Sequence, residues 1–178
     1  RAGNVSSELT YSFLYDVAAP SSTVLVPVNG QIYTAPQFSL SGTSADQTST
    51  GTPSGLQSAF YYGIKRTSNG DWWNGSAWVV TRDDLNIGIG EGAGVKNWST
   101  TLSSDFYDGI TVAYDTFTVY AWGSDRVDNP DSSYVNIESS LTAKSVFYYR
   151  TSSPTVAVDW PPAFTAQNSV SSVTLNVG

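Results

Sequence analysis

Histidine, cysteine and methionine are all absent from the 178 residues. Without histidine or cysteine, most nucleophile–base pairs and most transition-metal sites are excluded, and no disulfide framework can form. Stability must then come from the core itself. Charge is also scarce, at 13% of residues, and basic residues number 8 against 15 acidic ones, for a net charge of −7. Nucleic-acid binding depends on Lys and Arg neutralising phosphates, so this balance predicts no nucleic-acid partner. No apolar run is long enough to span a bilayer or to serve as a signal peptide, so no transmembrane segment is predicted. The lack of an initiator Met is expected of a processed or excised piece.

What is present favours strands. Aromatic residues make up 13% of a chain rich in Ser, Thr, Val and Gly, and β-branched and aromatic side chains pack well on a pleated surface. The sequence also echoes itself. Tyr11–Pro20 (YSFLYDVAAP) returns as Ser145–Pro154 (SVFYYRTSSP), with Phe13, Tyr15 and Pro20 each matched 134 residues later. Arg1–Asn4 similarly resembles Arg126–Asn129. A fixed internal period marks a repeat architecture. It divides the chain into residues 1–16, the last strand of a preceding unit; 17–150, one complete unit; and 151–178, the first strands of a following one. Proline cannot continue a central ladder, so Val17, Ala18, Ala19 and Pro20 form the expected hinge, with Thr151, Ser152, Ser153 and Pro154 as its counterpart.

Within the unit, alternation predicts strands at Val24–Val26, around Phe38 and Leu40, at Ala59–Arg66, Ile110–Trp122 and Lys144–Arg150. Ser41–Gly55 reads as a long polar loop and Asp83–Val95, with four glycines, as a flexible surface loop. Asp71–Val80 carries Asn74-Gly75 at its centre, a hairpin signal, and period-2 parity puts Trp73 and Trp78 on one face and Trp72 on the other. The expected core is Phe13, Phe38, Leu40, Tyr62, Trp73, Trp78, Phe117, Val119 and Phe147. Many short strands at this spacing imply an all-β, antiparallel sandwich.

Three motifs in order make the pattern more specific: Tyr15-Asp16 with Ala19-Pro20, Trp73-Asn74-Gly75 with Trp78, and Ala121 with Ser124-Asp125 and Asn129. Together they resemble bacterial immunoglobulin-like repeats of large exported and surface proteins, over roughly residues 11–150. In that family the third motif commonly ends in Gly-Asn, where this chain has Asp128-Asn129. The resemblance implies an immunoglobulin-like β-sandwich, one complete domain plus partial flanking repeats. It also implies an extracellular, cell-surface location and a non-catalytic role as spacer, adhesin stalk or filament component. The partners expected are neighbouring repeats in cis or identical subunits pairing through open strand edges.

Few residues are left to carry chemistry. Carboxylate pairs such as Asp83/Asp84 and Asp105/Asp108 sit beside no catalytic motif, so no enzymatic activity is expected. The segment Asp125–Asp131 packs Asp125, Asp128, Asn129 and Asp131 into seven positions. Calcium takes six to eight oxygens, which such loops supply. The plainer alternative is that Asp125 caps a turn while Asp128 and Asp131 face water. Trp72, opposite its hairpin neighbours, is the residue placed to stack on a glycan, in an alternative role as a carbohydrate- or protein-binding module. Packing is the competing use of all three tryptophans.

Overall fold

The computed structural model describes residues 3, 7–11, 16–47, 53–110, 112–126 and 136–151. Ten strands are described: β1 (Ser21–Val26), β2 (Ile32–Tyr33), β3 (Ser39–Ala45), β4 (Leu56–Arg66), β5 (Trp72–Trp73), β6 (Trp78–Val79), β7 (Leu85–Gly88), β8 (Lys96–Thr101), β9 (Tyr114–Asp125) and β10 (Ala143–Arg150). One 3₁₀ turn, Ser104–Tyr107, precedes β9. The all-β expectation therefore holds. A three-stranded sheet in the order β1-β3-β8 packs against a seven-stranded sheet in the order β2-β10-β9-β4-β5-β6, with β7 also pairing β4. The larger sheet curls into a half-barrel. It is not wholly antiparallel, because β2 runs parallel to β10.

Period-2 alternation explains how the sheets close on each other. On β9, Phe117, Val119 and Ala121 point inward and are fully buried; on β4, Phe60, Tyr62 and Ile64 do the same. They meet Leu40, Trp98, Leu102, Phe106, Trp73 and Phe147 in one cluster, with Phe38 and Trp78 packed at its margin. Phe13 lies outside the described residues. Each fully buried large side chain contributes roughly 1.5–3 kcal/mol. Edge-on and tilted ring pairs around Phe106 and Phe117, with centroids 4.9–5.6 Å apart, add direction to that packing.

The Asn74-Gly75 hairpin forms, with Trp73 opposite Trp78 across a four-residue loop. Its parity is as expected, since Trp73 is buried beside Trp78, 5.4 Å between centroids, while Trp72 faces outward. Asn74 orders the loop by accepting hydrogen bonds from the Ser76 and Ala77 amides at 3.0 and 2.8 Å.

Two expected loops contain strands. Ser41–Ala45, the start of the expected polar loop, instead extends the strand expected at Phe38 and Leu40, and the whole of β3 forms the centre of the small sheet, paired on both sides by β1 and β8. Its inward positions are Leu40, Gly42 and Ser44, and small residues are required there. A Cβ at Gly42 would overlap the Thr23 carbonyl oxygen and come within 2.7 Å of the Trp98 ring. Trp98 lies flat over that spot, stacked on Phe60 at 4.9 Å and donating its indole N–H to Thr23 O at 3.1 Å. Within the glycine-rich segment, Leu85–Gly88 pairs with β4, because Leu85 and Ile87 alternate onto the core.

Strand direction places the ends of the fold. Leu56 pairs with Asp125 and Ser21 with Ala45, so the start of β1, the end of β3, the start of β4 and the end of β9 share one end. Arg150 pairs with Tyr114 at the opposite end, where Thr151 N–H bonds Ala113 O at 3.2 Å.

Candidate metal centre and the aromatic outer face

The register just described brings together three acids that are far apart in sequence. Asp46 directly follows β3, Asp125 ends β9, and Asp16 lies on the segment leading into β1. One carboxylate oxygen from each lies within 4.8 Å of the other two. Asp125 is fully buried, while Asp16 and Asp46 are half-buried.

Neutral donors hold each carboxylate in place. Asp16 Oδ1 accepts from Ala18 N at 3.0 Å, bending the incoming segment, and its Oδ2 accepts from Ser54 N at 2.8 Å. Asp46 Oδ2 accepts from Gly55 N at 2.6 Å and Ser54 Oγ at 3.4 Å. Asp125 accepts from Asn136 N at 2.8 Å and Asn136 Nδ2 at 2.6 Å. That same amide nitrogen donates to the Asp16 carbonyl at 3.1 Å, tying the incoming segment to the end of β9. One oxygen stands apart: Asp46 Oδ1 is buried and has no hydrogen-bond partner. A buried acceptor left unmet costs about 1–3 kcal/mol.

The electrostatics agree with that geometry. Burial pushes the Asp46 and Asp125 carboxyls up, and neighbouring carboxylates push the same way, only partly opposed by the Gly55 and Asn136 donors. Burial also acts upward on Asp16. There the Ser54, Ala18 and Val17 amides and the Ser54 hydroxyl together outweigh it and hold the group below its ordinary value. Crowded acids with an orphaned oxygen suit a hard cation, and calcium accepts carboxylate ligands in flexible geometry. Asp16, Asp46 and Asp125 are the residues that would hold it.

Of the expected calcium ligands, Asp125 joins this cluster; Asp128, Asn129 and Asp131 lie outside the described residues. Asp16 and Asp46 carry no sequence signal linking them to Asp125, although Asp16 belongs to the Tyr-Asp motif named above. Val17, Ala18, Ala19 and Pro20 form the link from this cluster into β1. Thr151 is exposed just beyond β10, and Ser152, Ser153 and Pro154 lie outside the described residues.

Trp72 sits on the outer face of the larger sheet, half-buried. A Cβ at Gly63 would meet its ring at 3.3 Å, and the glycine lets the indole lie across β4 to reach Tyr120, with centroids 5.2 Å apart. Lys65 Nζ lies 5.7 Å from the Trp72 ring. The Arg82 guanidinium is 4.9 Å from both Trp72 and Trp122 and 5.6 Å from Tyr120. Two cations thus lie over the Trp72 ring, which stays partly exposed. Asp83 and Asp84 are exposed, with Asp84 paired to Arg82, and Asp105 and Asp108 are exposed beside the 3₁₀ turn.

Comparisons with protein-family models, curated proteins and solved structures find no match to the chain. No helix among the described residues is long and apolar enough to cross a membrane.

Proposed function

We propose that the chain is a non-catalytic, immunoglobulin-like repeat of a large extracellular bacterial protein, acting as a spacer in an adhesin stalk or filament. One observation carries this reading: the chain enters the sandwich beside Asp125 and leaves it beside Tyr114, at opposite ends of the same strand. That strand has 12 residues, which at ~3.3 Å each spans about 36–40 Å. A unit traversed from end to end lengthens a chain with each copy, whereas a unit with adjacent ends does not. The 134-residue echo supplies the copies. Calcium held by Asp16, Asp46 and Asp125 would pin the incoming segment and stiffen the joint.

Small-angle scattering on two and three copies joined through Val17–Pro20 tests the proposal. The expected outcome is a maximum dimension that grows by about one strand length, ~36–40 Å, per added copy. Compact particles whose dimension barely grows would refute it.

A further inference from the structure

The outer face of the larger sheet holds a feature that the spacer role leaves unused. Cross-strand neighbours Tyr61 and Trp122 lie nearly parallel, with ring centroids 5.9 Å apart and planes 14° from one another. Beside them opens a cavity of about 350 Å³ lined by Gln57, Tyr61, Asp84, Trp122, Ser124 and Ile137. That volume falls at the small end of ligand pockets, which run from about 300 to 1,000 Å³.

Its polar groups are already oriented. Ser124 Oγ donates to Gln57 Oε1 at 3.1 Å, which leaves the amide nitrogen as a donor for a ligand. Arg82 Nε donates to Asp84 Oδ1 at 2.6 Å, leaving Oδ2 as an acceptor. Arg82 is itself fixed by its rings and by a 2.9 Å hydrogen bond to Ser140 O, so it is not offered to an anion. Trp122 is only 6% exposed, so the half-buried Tyr61 supplies the accessible ring.

A donor, an acceptor and an aromatic ring side by side define a narrow class of ligand. Hydroxyl groups both donate and accept, and so match an amide next to a carboxylate. The C–H face of a pyranose rests on an aromatic ring, as amphipathic Tyr and Trp allow. Asp84 disfavours anionic sugars and phosphates, and a purely apolar ligand would leave the rim unpaired at a cost. We infer that this cavity binds a neutral saccharide, one hexose unit of a glycan, stacked on Tyr61 and hydrogen-bonded by Gln57 and Asp84.

The test is an amide chemical-shift titration of the 178-residue chain. The probes are glucose, galactose, mannose, N-acetylglucosamine, lactose and cellobiose, with choline chloride as a cationic competitor. At least one sugar should give saturable shifts centred on Gln57, Tyr61 and Ser124. Gln57→Leu and Tyr61→Ala should each weaken it about tenfold, the loss of one hydrogen bond or one stacking contact. Gln57→Leu leaves the aromatic rings in place and removes, besides the ligand donor, only the acceptor of the Ser124 hydroxyl, so its effect is readable even if Tyr61→Ala perturbs folding. Asp108→Asn, exposed beside the 3₁₀ turn and outside the cavity lining, should leave binding unchanged. The inference is overturned by the absence of saturable shifts with every sugar at tens of millimolar, or by binding that Gln57→Leu does not weaken. Choline binding in preference to all sugars also overturns it, since that would mark a cation cage.

Discussion

Asp115 and Asp125 lie on the same strand and the same inward face, ten residues apart, and their surroundings differ sharply. Asp115 is 2% exposed and sits against the guanidinium of Arg66, itself buried, with the Ser68 hydroxyl at 2.8 Å and the Thr116 amide at 2.8 Å completing its partners. Asp125 is fully buried but is met by neutral donors, Asn136 and the Ser54 hydroxyl, with two further carboxylates beside it. One end of the sandwich neutralises its buried acid from within. The other gathers acids that a proton or a cation from solution would complete, which would make one end fixed and the other responsive.

The contrast breaks most severely at Arg66. Arg66→Ala strands a buried carboxylate, and removing one partner of a buried pair costs about 3–5 kcal/mol. Urea unfolding of the variant should show that loss, and the double variant Arg66→Met/Asp115→Leu should recover most of it, because well-packed apolar replacements of such pairs are often neutral. Calcium sharpens the contrast from the other side. At a concentration one hundred times its dissociation constant, a cation bound only by the folded state adds about 2.7 kcal/mol. Thermal unfolding in millimolar calcium should show a raised midpoint that Asp46→Asn abolishes and Arg66→Ala leaves intact. No shift in the unsubstituted chain would remove the metal centre.

The pH response follows in size. Asp46 and Asp125, raised in the folded state, hold protons that the unfolded chain has already released. In chelator, the stability these groups contribute is therefore present below their unfolded value and lost as pH rises through their folded values. Asp16, held low, contributes stability present above its unfolded value and lost as pH falls through its folded one. The unfolding midpoint in chelator should fall as pH rises above the ordinary carboxylate value, and either calcium or Asp46→Asn should flatten that slope. The smallest effect belongs to Arg82→Ala, remote from both ends, where loss of contacts to three rings costs about 0.5–2 kcal/mol. Its urea midpoint should drop while its calcium response stays unchanged.

How much of this was legible in the sequence depended on range. The Trp73/Trp78 pairing followed from a local turn and a two-residue period, and the inward set of β9 from alternation alone. Ser41–Ala45, the part of β3 beyond the strand expected at Phe38 and Leu40, was hidden because its ladder bonds come from β1 and β8, and because Trp98, arriving from 56 residues away, fills the space its small residues leave. The carboxylate cluster was only one-third visible. Asp125 stood out in a run of acids, but Asp16 and Asp46 join it through strand register, which no local spacing encodes. Parity places Trp72 on the outer face, but the chain position of Arg82 gives no hint that its guanidinium lies 4.9 Å from the ring.

The path of the chain through the sandwich has a mechanical consequence. Tension applied through the segments before Ser21 and after Arg150 pulls β1 and β10 in opposite directions along their own axes. The β10–β9 ladder, seven residue pairs long, and the five-pair β1–β3 ladder are then loaded in shear, every hydrogen bond at once, instead of being peeled apart one after another. The two loaded strands belong to different sheets, so rupture of either must also drag side chains through the aromatic core between them.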